Sequence, residues 1–207
     1  MLVLGLTGSI GMGKSTTATL FGAAGVPVHD ADATVHKLYR GRAAPLIEAR
    51  FPGSTNSGVV QRDRLAAAVL GRPAEIEALE AIVHPLVREE EIAFLTAARA
   101  RAARLVVLDI PLLFETGAEA RVDAILVVTA PDSVQKARVL ARPGMTADKF
   151  AAILARQIPD KEKRRRSHAL IDTSFGLDAA RRDVEALLRA LAGHPGRRLV
   201  GPAVTSG

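Results

Sequence analysis

Residues 8–15 read Gly-Ser-Ile-Gly-Met-Gly-Lys-Ser and satisfy the pattern G-x-x-x-x-G-K-[ST] in full. Glycines at this spacing let the backbone curl so that successive N–H groups face anionic oxygens. A helix starting just after the loop adds its partial positive charge. Lys14 can bridge the outer phosphates of a nucleotide, and the Ser15 hydroxyl can hold Mg²⁺. Gly8, Gly11, Met12, Gly13, Lys14, Ser15 and Thr16 form the candidate ATP-binding set. The rival reading is a glycine-rich turn with an exposed lysine. The apolar run before the loop and the helical pattern after it argue against that rival.

A held phosphoryl group needs a receiver, and three carboxylates are candidates. Asp30 and Asp32 follow a short apolar run and belong at the edge of a sheet. A carboxylate there can accept the proton of an attacking hydroxyl. It can equally cap the next helix. The spacing leaves open which of the two does which. Asp109 closes the run "LVVLDI", where an acid can bind Mg²⁺ directly or through water, or can bond loop amides.

The net charge is +6, and its location says more than its sum. Residues 136–166 hold ten Lys/Arg against three acids, an excess of seven. Arg138, Arg142 and Arg156 could neutralise a transferring phosphoryl group from a closing lid, or could lie on a solvated helix face. "EKRRR" (162–166) reads as exposed and as a general attractor of anions. Five histidines show no metal-ligand spacing, and His84, before Pro85, reads as fixing a helix break.

The elements that must carry these residues follow from pattern. "LVLGL" (2–6), "VPVHD" (26–30), "LVVLDI" (105–110), "AILVVTA" (124–130) and "ALID" (169–172) are buried-strand candidates. Alanine-, leucine- and arginine-rich helical stretches lie between them. The alternation predicts an α/β fold, a parallel sheet with helices on both faces, of the P-loop NTPase kind. No strand is evident from Ala33 to Arg104; helices are expected over 33–51, 62–70, 74–84 and 86–103, with a break at His84-Pro85. The expected organisation is a core of 1–32 with 105–131 and 169–192. A helical acceptor-binding insertion spans 33–104, a basic helical lid spans 132–168, and 193–207 form a flexible tail.

Composition narrows the rest. There is no cysteine, which excludes disulfides and thiolate metal sites. No run is long and apolar enough to span a membrane, and a cytoplasmic, monomeric enzyme is expected. Aromatic residues are only 3%, which disfavours a stacking platform for single-stranded nucleic acid.

The ordered set of motifs resembles one family. "LTGSIGMGKST" is followed by "GVPVHDAD", "GVVQRDRL", "LEAIVHP", "VLDIPLLFETG", "RPGMT" and "ILARQIPDKEKR". From residue 2 to about 174 this is similar to the dephospho-coenzyme A kinases. The resemblance implies ATP-dependent phosphorylation of the ribose 3′-hydroxyl of dephospho-CoA, the last step toward coenzyme A. It implies Asp32 as general base, Lys14 and the loop amides on ATP, and Ser15 on Mg²⁺. Arg142, before "PGMT", becomes the lid arginine. Arg64, His84 and the "PLLFE" residues Pro111 and Leu113 become acceptor contacts beside Asp32. "IDTS" (171–174) departs from the expected Asn-containing turn near the adenine.

Rivals are a nucleoside monophosphate kinase, a guanine-nucleotide switch and a nucleic-acid-binding protein. The motif order argues against the first. The absence of N-K-x-D, with Asn56 the sole asparagine, argues against the second. The third would show steep salt-dependent binding to DNA.

Overall fold

A computed structural model describes residues 1–194 and 196. The expected tail over 193–207 lies mostly outside the described residues. Five strands form one sheet in the order β2-β5-β1-β6-β7, where β1 is Leu2–Thr7, β2 Val28–Asp30, β5 Leu105–Asp109, β6 Ala124–Thr129 and β7 Ala169–Asp172. The pairs β1–β5, β1–β6 and β6–β7 are parallel. Parallel strands need crossovers, so helices end up against the sheet.

All six residues of β1 are buried, as its unbroken apolar run requires. One face of the sheet packs Leu2, Leu4, Leu6, Val107, Leu126 and Val128 against helix α1 (Lys14–Ala23) and helix α9 (Leu177–Leu191), through Leu20, Phe21, Ala180 and Val184. The other face is tight at Gly5, where an added Cβ would lie 2.7 Å from Leu113. The central strand is therefore gripped from both sides, and its end delivers the loop at 8–13.

The chain divides into two compact units, 29–97 and the remainder. The first holds α2 (Ala31–Tyr39), α3 (Ala43–Arg50), a hairpin of β3 (Thr55–Asn56) and β4 (Val59–Val60), α4 (Arg62–Val69) and most of α5 (Pro73–Ala100). Its own core gathers Leu38, Ile47, Phe51, Val60, Leu65, Val83 and Leu86.

Three expectations over this stretch need correction. The helix expected over 33–51 is two helices, parted by turns at 40–42. The turn-rich stretch 51–58 feeds a hairpin that was not expected. Its strands are too short to show a period, and Glu48 builds the turn from outside by accepting the N–H groups of Gly53 and Thr55 and the Thr55 hydroxyl. These bonds hold the Glu48 carboxyl below its ordinary value, the Gly53 N–H being the largest cause. The break at His84-Pro85 does not occur, and α5 runs straight through. Pro85 removes the donor for the Ala81 carbonyl, but Ala81, His84 and Pro85 are all exposed, so water can serve that carbonyl. Val83 and Leu86 on the inner face are buried in the core, which offsets a proline penalty of about 3 kcal/mol.

The basic segment folds as α6 (Asp132–Leu140), α7 (Ala147–Leu154) and α8 (Asp160–Arg165). The reading of 162–166 as an exposed run holds for Arg164 and Arg165 and is corrected at Lys163 and, in part, at Glu162 and Arg166. Lys163 is 0% exposed, with its ammonium 2.8 Å from Glu115 Oε1. Arg166 pairs with Glu119 and lies 4.4 Å over the Phe114 ring. Arg164 pairs with Asp160 at 3.0 Å and Arg165 with Glu162. Burial alone pushes the Glu115 carboxyl up. The Lys163 ammonium and the Ile158 N–H outweigh it and hold the group below its ordinary 4.5.

Glu115→Gln leaves a buried ammonium without its counter-charge and is expected to destabilise the fold by about 3 kcal/mol in urea titrations, more than Lys163→Met does. Since Glu115 titrates lower when folded, its contribution is complete above pH 4.5. It is lost as pH falls through the depressed folded value. The wild-type urea midpoint should fall over that acid window, and Glu115→Gln should lose part of that dependence.

Candidate active site

The loop after β1 has the geometry of an anion cradle. Gly11 and Gly13 have φ of +79° and +89°, the left-handed region that glycine enters without strain. Among the described residues, the N–H groups of Gly11, Gly13, Lys14, Ser15 and Thr16 make no internal hydrogen bond. Gly13 opens α1 with no side-chain cap, so the helix N-terminus is left for a ligand. Gly8 is packed against the neighbouring strand, and a Cβ there would lie 2.7 Å from the Val128 carbonyl.

Lys14 Nζ lies 2.5 Å from Asp109 Oδ1, and Asp109 is 2% exposed. The parallel register pairing Leu6 with Asp109 brings the two together from residues 95 apart in sequence. Ser15 and Thr16 are exposed beside them. Among the described residues no three His, Cys, Asp or Glu side chains form a metal cluster. The Ser15 hydroxyl and the Asp109 carboxylate are hard oxygen donors. They fit a Mg²⁺ ion that brings most of its ligands with it as water and phosphate.

Met12 belongs to the cradle by its backbone alone. Its side chain is buried, its N–H donates to the Ser9 carbonyl and its carbonyl accepts from Thr173. A cavity of about 280 Å³ lies against the loop, lined by Gly11, Gly13, Thr16, Arg138, Arg142, Thr173 and Gly176. Arg138 is not free there. Its guanidinium donates to Thr173 Oγ1 at 2.7 Å and to the Thr173 carbonyl at 2.8 Å. Arg142 is exposed at the same cavity and makes no ion pair or side-chain hydrogen bond among the described residues. Arg156 is exposed and lies outside the cavity lining.

The acid that ends β2 and the acid two residues on are told apart by the structure. Asp30 caps α2: its carboxylate accepts the Ala33 N–H at 2.9 Å and its carbonyl accepts the Thr34 hydroxyl. Asp32 sits in the first turn of α2, exposed, with no hydrogen bond or ion pair among the described residues.

Of the expected acceptor contacts, Leu113 is corrected. It is 0% exposed and packs under Gly5, whereas its neighbour Leu112 faces out. Pro111 is half-buried, with its carbonyl bonded by Thr7. Arg64 is exposed and reaches the Gly53 carbonyl at 3.4 Å; His84 is exposed on α5. Two residues escaped the sequence reading altogether. Gln135 donates to the Ile10 carbonyl at 2.7 Å and Gln157 accepts the Ile10 N–H at 3.1 Å. Contacts across 125 and 147 residues leave no local pattern.

The parallel sheet, the glycine loop capping α1 and the lysine–aspartate pair at the strand ends define a P-loop kinase. The sequence matches the dephospho-CoA kinase family over residues 2–178. The dephospho-CoA kinases of Mesorhizobium japonicum and Brucella melitensis are 60% and 58% identical to it, over 95% and 94% of this chain and 100% and 98% of theirs. A Thermus thermophilus protein of solved structure superposes with a TM-score of 0.81 at 37% identity, covering 93% of this chain and 98% of that one. The dephospho-CoA kinase of Campylobacter jejuni shares the fold, with a TM-score of 0.64 at 19% identity over 91% and 96% of the two chains. The chain belongs to the dephospho-CoA kinase family.

Gly13→Ala would place a Cβ 2.9 Å from Thr173 Oγ1 on a backbone of positive φ. Left-handed strain of about 1–2 kcal/mol, plus the displaced loop, should weaken ATP binding at least ~10-fold by calorimetry.

Proposed function

We propose that this protein transfers the γ-phosphoryl group of ATP to the ribose 3′-hydroxyl of dephospho-CoA, giving coenzyme A and ADP. The observation that carries the reading is the cradle of five unpaired amides with Lys14, in a chain matching the family from residue 2 to 178.

The chemistry assigns each residue a task. The amides of Gly11, Gly13, Lys14, Ser15 and Thr16 hold the phosphate oxygens, and Lys14 turns from Asp109 to the outer phosphates. Gly8 and Met12 shape the loop. Bound Mg²⁺, held by Ser15 and Asp109, would neutralise phosphate charge. The Asp32 carboxylate accepts the proton of the 3′-hydroxyl while the 3′-oxygen of the ribose bonds the γ-phosphorus and the bond from that phosphorus to the leaving ADP breaks. What supports Asp32 is that Asp30 already does the capping, so the second acid has no structural duty. Arg142 meets the charge that spreads over the equatorial oxygens, because Arg138 is committed to Thr173. Arg64, His84 and Pro111 receive the acceptor. We take the enzyme to act as a cytoplasmic monomer without nucleic acid. No helix among the described residues is long and apolar enough to cross a membrane.

The test is ATP consumption with mass-spectrometric detection of product, using dephospho-CoA and a panel of nucleoside monophosphates. Turnover with dephospho-CoA alone is expected; turnover with a monophosphate and none with dephospho-CoA overturns the reading. Asp32→Asn should lower kcat by ~10²–10⁴ and leave ATP affinity within about twofold, whereas Asp30→Ala should cost about 1 kcal/mol of stability and keep most of kcat. Arg142→Ala should lower kcat by ~10³ in the same assay.

A further inference from the structure

Two side chains from outside the phosphate loop hold two of its carbonyls. Gln135 Nε2, on α6, donates to the Ile10 carbonyl at 2.7 Å. Thr173 Oγ1, just after β7, donates to the Met12 carbonyl at 2.9 Å. Gln135 is 5% exposed and Thr173 7%. Arg138 occupies a lone pair of the Thr173 hydroxyl and leaves its proton for Met12, the Thr129 carbonyl being farther at 3.4 Å.

Every peptide bond among the described residues is trans. In a trans peptide unit the C=O of one residue and the N–H of the next share a plane and point opposite ways. Holding the Ile10 carbonyl therefore turns the Gly11 N–H to the other side. Holding the Met12 carbonyl turns the Gly13 N–H likewise. The restraint has a purpose, because glycine adopts negative φ as readily as positive, so the peptide units before Gly11 and Gly13 can flip at little steric cost. A flip would aim a carbonyl where phosphate oxygens bind. Gln157 completes the arrangement by taking the Ile10 N–H out of the cradle.

We infer that Gln135 and Thr173 are positioning residues for phosphate binding: the first aims the Gly11 amide and the second the Gly13 amide. The threonine in "IDTS" is thus the aiming group for the second amide. The inference rests on the reading of the loop as the ATP site.

The test uses ¹⁵N-labelled full-length enzyme titrated with ADP. In the wild type the Gly11 and Gly13 amide protons should both move downfield as they bond phosphate. Gln135→Met, or Gln135→Glu where the first folds poorly, should abolish the Gly11 shift and keep that of Gly13. Thr173→Val should do the reverse, and Thr173→Ser should restore the wild-type pattern. Each of the methionine, glutamate and valine variants should bind ATP roughly tenfold more weakly, as expected for one impaired charge-assisted hydrogen bond, with an unchanged KM for the acceptor. Folded variants that keep both shifts and wild-type ATP affinity overturn the inference, as does loss of both shifts together in either single variant. A wild type whose two glycine amides do not respond to ADP overturns the nucleotide reading itself.

Discussion

Among the described residues, the loop at 8–16 leaves five backbone N–H groups without a partner inside the protein, and such groups cost free energy wherever water does not reach them. The rest of the unit built on the five-stranded sheet is organised around sustaining that arrangement. β1, buried on both faces, fixes where the loop begins, and α1 fixes where it ends. Between these points the positive-φ glycines curl the chain, and side chains from α6 and from the turn after β7 hold its outward carbonyls. The Lys14–Asp109 pair keeps a cation beside the loop. An anion that satisfies all five amides at once gains what the fold has left unsatisfied.

The basic segment divides into two parts with different duties. Lys163, Arg164, Arg165 and Arg166 face acids of their own, and Arg138 is bonded to Thr173. Arg138 ties α6 to the turn after β7, and Lys163 and Arg166 tie the α8 region to Glu115 and Glu119, whereas the Arg164 and Arg165 pairs lie within α8. Of these pairs only Lys163–Glu115 is buried; such a pair does little for net stability against a well-packed apolar alternative, but losing one partner is costly, so it fixes a position strongly. Arg142 is exposed at the cavity that meets the loop, without an ion pair among the described residues. Within the local excess of charge, these five of the ten cations are thus engaged by partners of their own in the fold.

In the unit of residues 29–97 a similar division separates neighbours. Asp30 and Asp32 are two residues apart, yet one closes a helix end and the other stands free. Glu48 satisfies three donors of an irregular turn, and that turn is also where Arg64 reaches a carbonyl. Polar residues that look alike in the chain are sorted by whether a backbone group lies within reach, because a satisfied carboxylate is poorly available as a base.

The sequence by itself determined the strand–loop–helix unit, the parallel α/β class, the family resemblance and the segment where charge concentrates. These are written in local spacing: apolar runs, glycines at 8, 11 and 13, and motifs in order. Tertiary structure decided the remainder. It chose Asp30 as the cap, turned Leu113 into the core, engaged Arg138 and buried Lys163. It carried α5 through Pro85, where exposed carbonyls and a buried inner face made a break unnecessary. It brought Gln135, Gln157 and Thr173 to the loop from more than a hundred residues away. The physical reason is common to all of these. Whether a polar side chain binds a ligand or builds the frame depends on which partners lie within about 3 Å, and that is set by packing between distant segments rather than by neighbours in the chain.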